Sequence, residues 1–180
     1  MIFRPLRLDG AYEISPKLLR DERGYFTRVF CADAFAANDL NTSWVQANTS
    51  LSLARGTVRG LHFQRAPASE EKLVRCVHGS IMDVIVDLRS GSPTFGRHEM
   101  VELDAAKQNA VYIPKGFAHG FQTLVDNAQL FYMHSQAYHA AVEDGLNPFD
   151  ADLSIKWPIP VSAISQRDQT FAHLTECAAI

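Results

Sequence analysis

Asn109-Ala-Val-Tyr-Ile-Pro-Lys-Gly-Phe-Ala-His119-Gly-Phe-Gln122 sets two apolar runs on either side of a Pro-x-Gly turn. Pro114 fixes φ and Gly116 permits a sharp reversal, so the stretch reads as strand, turn and strand in a buried sheet. His119 is then expected at the mouth of a barrel, an unusual place for an idle histidine. The same period of two continues along the chain. Strands are expected at Gly24–Phe30, Val45–Leu53, Thr57–Gln64, Lys72–Val77, Ser80–Leu88, His98–Leu103, Ala110–Ile113, Gly120–Leu124 and Leu130–Ser135. His78-Gly79-Ser80 turns one hairpin. A single short helix is expected near Asp33, which is placed to cap Ala34-Phe-Ala-Ala, ending around Asn38-Asp39. So dense a meander closes best as an all-β, double-sheet jelly roll with short peripheral helices.

Composition bounds what such a barrel does. The 180 residues, 47% hydrophobic and 21% charged, describe one globular domain over 1–180 with material for a real core. A net charge of −3 offers no basic excess for nucleic acid, and no apolar run reaches the length of a membrane span. The N-terminus lacks the apolar core of a secretory signal, so the chain reads as cytoplasmic and the sequons at Asn41 and Asn48 as turn and strand residues. Cys31, Cys76 and Cys177 are too scattered for a disulfide frame or zinc site and read as reduced, structural thiols.

Arg55-Gly-Thr-Val-Arg59-Gly-Leu-His62-Phe-Gln64 carries the second histidine of interest. Alternation sends either Val58, Gly60 and His62 or Arg59, Leu61 and Phe63 to one face. One inward histidine alone is ordinarily a satisfied core residue. Two on one barrel, beside Arg59, Lys72 and Arg75, predict a cationic interior suited to an anionic ligand.

The Pro-x-Gly-x-x-His119 pattern resembles the second motif of the cupins, whose metal-binding members carry His-x-His and a following Glu on an earlier strand. Here that strand offers only His62-Phe-Gln64. Two histidines without a carboxylate fall short of a metal's usual protein ligands, so no metal or other cofactor is expected. Histidine is the side chain best suited to move protons near neutral pH.

Asp21-Glu-Arg-Gly24, Val45-Gln-Ala-Asn-Thr-Ser-Leu-Ser, Arg59-Gly-Leu-His-Phe-Gln, Lys72-Leu-Val-Arg-Cys, Ser92-Pro-Thr-Phe-Gly and Ile113-Pro-Lys-Gly-Phe-Ala-His-Gly-Phe follow one family in order. The chain resembles the dTDP-4-dehydrorhamnose 3,5-epimerases from Asp21 to Trp157-Pro158 and again at Ser165-Gln-Arg-Asp168. The resemblance implies a metal-free, cupin-type homodimer acting on a nucleotide-linked 4-keto-6-deoxyhexose in dTDP-rhamnose biosynthesis. It implies an N-terminal arm contacting the partner subunit and a C-terminal segment folded over the barrel. His62 is the expected base and Asp168 its orienting partner. Tyr132 is the expected proton donor on the opposite face, and Lys72 the cation at the enolate oxygen. By the same resemblance His119, Arg59, Gln46, Asn48, Phe26, Tyr138, Glu143 and Arg167 contact substrate. Arg23 reaches diphosphate from the other subunit.

Three departures bear on substrate: Arg28 where many members have Glu, Met133 where Lys is frequent, and Gly145-Leu-Asn-Pro-Phe-Asp150. The alternatives are a mono-epimerase at carbon 3 or 5, one acting on another nucleotide sugar, or a barrel that binds such sugars without catalysis. A metal-dependent oxygenase or isomerase is a further rival.

Overall fold

A computed structural model describes all 180 residues, Met1–Ile180. The opening stretch forms β10 (Ala110–Ile113) and β11 (Phe117–Thr123), but the two strands belong to different sheets. Pro114–Gly116, with Gly116 at φ +82, carries the chain from one sheet to the other. The first sheet has six strands in the order β1 (Ile2–Pro5), β2 (Tyr12–Ser15), β10, β7 (Lys72–His78), β12 (Ala128–His134) and β5 (Gln46–Ser52). The second has five, in the order β13 (Glu143–Gly145), β6 (Val58–Gln64), β11, β8 (Ser80–Asp87) and β9 (His98–Asp104). A separate exposed hairpin pairs β3 (Leu19–Asp21) with β4 (Gly24–Phe26). The two facing sheets form the expected jelly roll, and no helix is long and apolar enough to cross a membrane.

Alternation divides the apolar side chains into three layers. Between the sheets lie Val74, Cys76, Ile81, Ile85, Leu103, Val111, Phe117, Phe121 and Leu130. The outer face of the six-stranded sheet buries Ile14, Leu73, Ala110 and Tyr112 against Phe35 of α1 (Ala32–Ala36). Leu61, Phe63, Val84, Val86 and Ala118 on the other outer face are covered by Leu146 and Leu153, with Trp157 and Leu174 packed alongside. Between-sheet apolar residues fill one end of the barrel, and polar residues on the same strands line the other.

Several expectations need correction. The helix begins one residue before Asp33; its N-cap is Cys31, with no side-chain cap bond. β4 stops at Phe26 rather than Phe30, and β11 starts at Phe117, so His119 lies within a strand. The strands Ile2–Pro5, Tyr12–Ser15, Leu19–Asp21 and Glu143–Gly145 were not expected. Arg75 does not line the interior. Lys72, Val74 and Cys76 face inward, which sends Arg75 to the outer face, where its guanidinium bonds the Gln108 carbonyl at 2.6 Å.

Candidate active site

At the polar end, β6 meets a problem that simple alternation cannot solve. His62 pairs with His119 and Arg59 with Phe121, so two β6 residues stand opposite the single Gly120. This bulge puts both Arg59 and His62 on the inner face, which the sequence reading treated as alternatives. Gly60, at φ +118, makes the bulge possible: a Cβ there would lie 2.6 Å from the Gly120 Cα. His62 and His119 are consequently neighbours on adjacent strands of one sheet. They share one wall of the cavity rather than standing on facing strands across the mouth.

Each histidine is held by a carboxylate. His62 Nε2 lies 3.0 Å from Asp168 Oδ1, and the Gly60 N–H donates to Asp168 Oδ2 at 2.9 Å. Asp168 arrives on α2 (Gln166–Gln169), capped by the Ser165 hydroxyl, which accepts from the Asp168 N–H. Bridges Thr57–Ala163 and Leu146–Ala172 pin the flanking chain beside β6 and β13. Burial would raise the Asp168 carboxyl, but the bonds from His62 and Gly60 overcome it and hold its pKa at about 2. An ionised Asp168 takes the Nε2 proton of His62 and leaves the Nδ1 lone pair free, an arrangement able to accept a proton. His119 is more enclosed: its Nε2 lies 2.8 Å from Oδ2 of Asp83, whose side chain is 1% exposed.

The opposite sheet supplies the other wall. Tyr132 and His134 project inward from β12 beside Lys72 of β7, while Asn48 and Ser50 project from β5. The Tyr132 hydroxyl lies 2.8 Å from Ser50 Oγ. Burial pushes the phenol up to about 12 against that bond, so it is a neutral proton donor at physiological pH. Lys72 Nζ lies 3.2 Å from Glu70 Oε1 and donates to the His62 carbonyl at 3.4 Å. Glu70 also accepts from His134 Nδ1 at 2.8 Å. Burial opposes ionisation of Glu70, but His134 and Lys72 hold its pKa below the usual carboxylate range.

These groups enclose a cavity of about 270 Å³ lined by His62, His119, Lys72, Tyr132, Asn48, Tyr138 and Glu143, among others. Gln46 lines a continuation of it. Arg59, His62, Arg167 and Asp168 border a second cavity on the other side of His62. Arg59 donates to Ser52 Oγ and the Leu51 carbonyl at 3.0 Å each, and Arg167 Nη1 to Glu143 Oε2 at 2.9 Å. The Tyr138 hydroxyl donates to the same Glu143 oxygen at 3.0 Å. Arg23 and Phe26 are not brought to this cavity. Arg23 sits in the β3–β4 turn, paired with Asp21, and Phe26 is 67% exposed.

Sequence reading missed Glu70, Ser50, Asp83 and His134. Three of them lie two residues from a residue it singled out, so period-two bookkeeping from Lys72, Asn48 and Tyr132 would have found them. The interior is also charge-balanced by Glu70, Asp83 and Asp168 rather than cationic. Met133, flagged as a substrate-side departure, faces away into the outer layer beside Leu73. No group of three or more His, Cys, Asp or Glu side chains is arranged to hold a metal.

Comparison with known proteins agrees with this geometry. The family model for dTDP-4-dehydrorhamnose 3,5-epimerase matches residues 5–176. A dTDP-4-dehydrorhamnose 3-epimerase of Streptomyces niveus is 43% identical over 98% of this chain and 85% of its own length. A dTDP-4-dehydrorhamnose 3,5-epimerase of Methanothermobacter thermautotrophicus is 41% identical over 94% of this chain and 92% of its own. NovW, a 4-keto-6-deoxy sugar epimerase from the novobiocin biosynthetic gene cluster of Streptomyces spheroides, superposes with a TM-score of 0.93 at 43% identity, covering 98% of this chain and 88% of NovW. Matched in sequence along nearly its whole length and in fold at that level, the chain belongs to the dTDP-4-dehydrorhamnose 3,5-epimerase family.

Proposed function

We propose that the chain converts dTDP-4-dehydro-6-deoxy-D-glucose to dTDP-4-dehydro-L-rhamnose by inverting C3 and C5 on either side of the C4 ketone. The observation that carries this is one cavity holding a carboxylate-oriented histidine, a buried neutral phenol and a lysine. A proton beside a ketone is weakly acidic, so its removal requires a base at the carbon and charge stabilisation at the ketone oxygen. His62 Nδ1 takes the proton while Asp168 stabilises the imidazolium. Lys72 offsets the charge developing on the C4 oxygen. Tyr132, on the opposite sheet, returns a proton to the other face of the enolate. Return from the face that lost it would leave the configuration unchanged, so inversion needs two groups on two walls.

His119, Asn48, Gln46, Tyr138 and Glu143 hold the sugar, and Arg59 and Arg167 take the diphosphate side. Arg23 and Phe26, exposed on the β3–β4 hairpin, complete the nucleotide end of a partner's cavity in a homodimer. A second reading, inversion at one carbon alone, is favoured by the 43% identity to a 3-epimerase. Incubation of dTDP-4-dehydro-6-deoxy-D-glucose with the enzyme in deuterated water, followed by proton NMR, separates them. Label at C3 and C5 with inversion at both supports the first reading, inversion at one carbon the second, and no label at either contradicts both.

A further inference from the structure

Glu70 and His134 have no part in the chemistry above, yet both line the cavity and both are largely buried, with side chains 7% and 12% exposed. Their hydrogen bonds have a direction that can be worked out from one fixed donor. The backbone N–H of Tyr138 donates to Gln46 Oε1 at 3.0 Å, so the other end of that amide, Nε2, donates to Asn48 Oδ1 at 3.3 Å. Asn48 then turns its Nδ2 to His134 Nε2, 3.2 Å away, which must accept and carries no proton. The ring proton is on Nδ1 and goes to Glu70 Oε2 at 2.8 Å. The remaining Glu70 oxygen, Oε1, takes Lys72 Nζ at 3.2 Å. Every donor meets an acceptor, from the loop after β12 to the lysine.

We infer that Glu70 and His134 are positioning residues: a directed chain from the Tyr138 N–H through Gln46, Asn48, His134 and Glu70 fixes Lys72 Nζ at the place where the enolate oxygen develops. Register supports it, since His134 stands directly opposite Lys72 on the neighbouring strand and both project inward. Lysine has a long, flexible stem and a point charge, so a carboxylate anchored at its far end restricts where that charge sits. The His134 ring also lies nearly parallel to Tyr132, with centroids 6.1 Å apart and planes at 24°. The chain thus ties the groups on one wall to the segment carrying Tyr138, which lines the cavity.

The inference rests on the reading of Lys72 as the enolate-stabilising cation, and two measurements separate it from that reading. In the intact protein labelled with 15N-histidine, a two-bond 1H–15N correlation spectrum at neutral pH should show His134 with a protonated Nδ1 and a bare Nε2. That is the opposite tautomer to the one free imidazoles favour. A protonated Nε2 overturns the chain whatever the enzyme's substrate. In kinetics, Glu70→Gln puts an amide N–H against one of two donors and should lower kcat for deuterium exchange about 10²-fold, with KM changed little. Made on top of Lys72→Met it should cost nothing more, because it acts through Lys72; a further loss of the same size overturns the inference. His134→Gln, which keeps an acceptor and a donor, should retain most of the rate that His134→Phe loses. Equal loss in both means that His134 serves only packing. A wild-type enzyme that labels neither C3 nor C5 contradicts the proposed function but leaves the tautomer result to decide the chain.

Discussion

His62 and His119 stand side by side in register on β6 and β11, and each has its Nε2 within 3.0 Å of an aspartate. Their surroundings differ. The His62 side chain is 28% exposed and its partner comes from a helix 106 residues away in sequence. His119 is 6% exposed, and Asp83 lies on the strand next to its own. Both histidines line the cavity, but one draws its carboxylate from the C-terminal segment and the other from within the barrel. A histidine–carboxylate contact is therefore not by itself a catalytic feature. What separates the two pairs is the greater exposure of the His62 ring, which suits the proposed base.

Removing one carboxylate at a time should separate the two pairs. Asp168→Asn should lower the rate of deuterium exchange about 10³-fold, since it loses the tautomer and the stabilised imidazolium together. Thermal unfolding of this variant should change far less than its rate. Tyr132→Phe should lower inversion about 10²-fold while exchange stays within a few-fold, because His62 still removes and restores protons on its own face. Comparing inversion and exchange in one NMR time course checks this, and unchanged inversion removes Tyr132 from the acid role. Asp83→Ala should show the reverse of Asp168→Asn. It strands the ring N–H of a buried histidine at a cost of about 1–3 kcal/mol, visible in denaturant unfolding.

The smallest effect is acid sensitivity. The Asp168 pKa is depressed to about 2 in the folded protein from an ordinary 3.8, so its contribution to stability is complete above about pH 4 and is lost as pH falls toward 2. Acid titration of wild type beside Asp168→Asn should show that component only in wild type.

How much of this was legible in the sequence follows the reach of each interaction. Period-two runs such as Lys72–Val77 and Ala110–Ile113 mark strands because the pattern is local, and they fall within a residue or two of the observed elements. The edge strands Ile2–Pro5 and Glu143–Gly145 were missed because they are short and only partly buried. The bulge at Gly60 has no local signature beyond the glycine, yet it decides that Arg59 and His62 share a face. Arg75 was misplaced because charge was counted without following alternation from Lys72. Asp168 entered only through family resemblance, since nothing in its own segment points to a contact with β6. His134 lies on β12 and Glu70 two residues before β7, and their pairing depends on the register of β7 and β12, which sequence does not print.

Proton NMR of dTDP-4-dehydro-6-deoxy-D-glucose in deuterated water, with wild type and His62→Ala side by side, tests whether His62 held by Asp168 is the base. Thermal unfolding confirms that both are folded. Wild type should label C3 and C5 and His62→Ala neither over the same period. Labelling by His62→Ala at the wild-type rate would show that His62 is not the base.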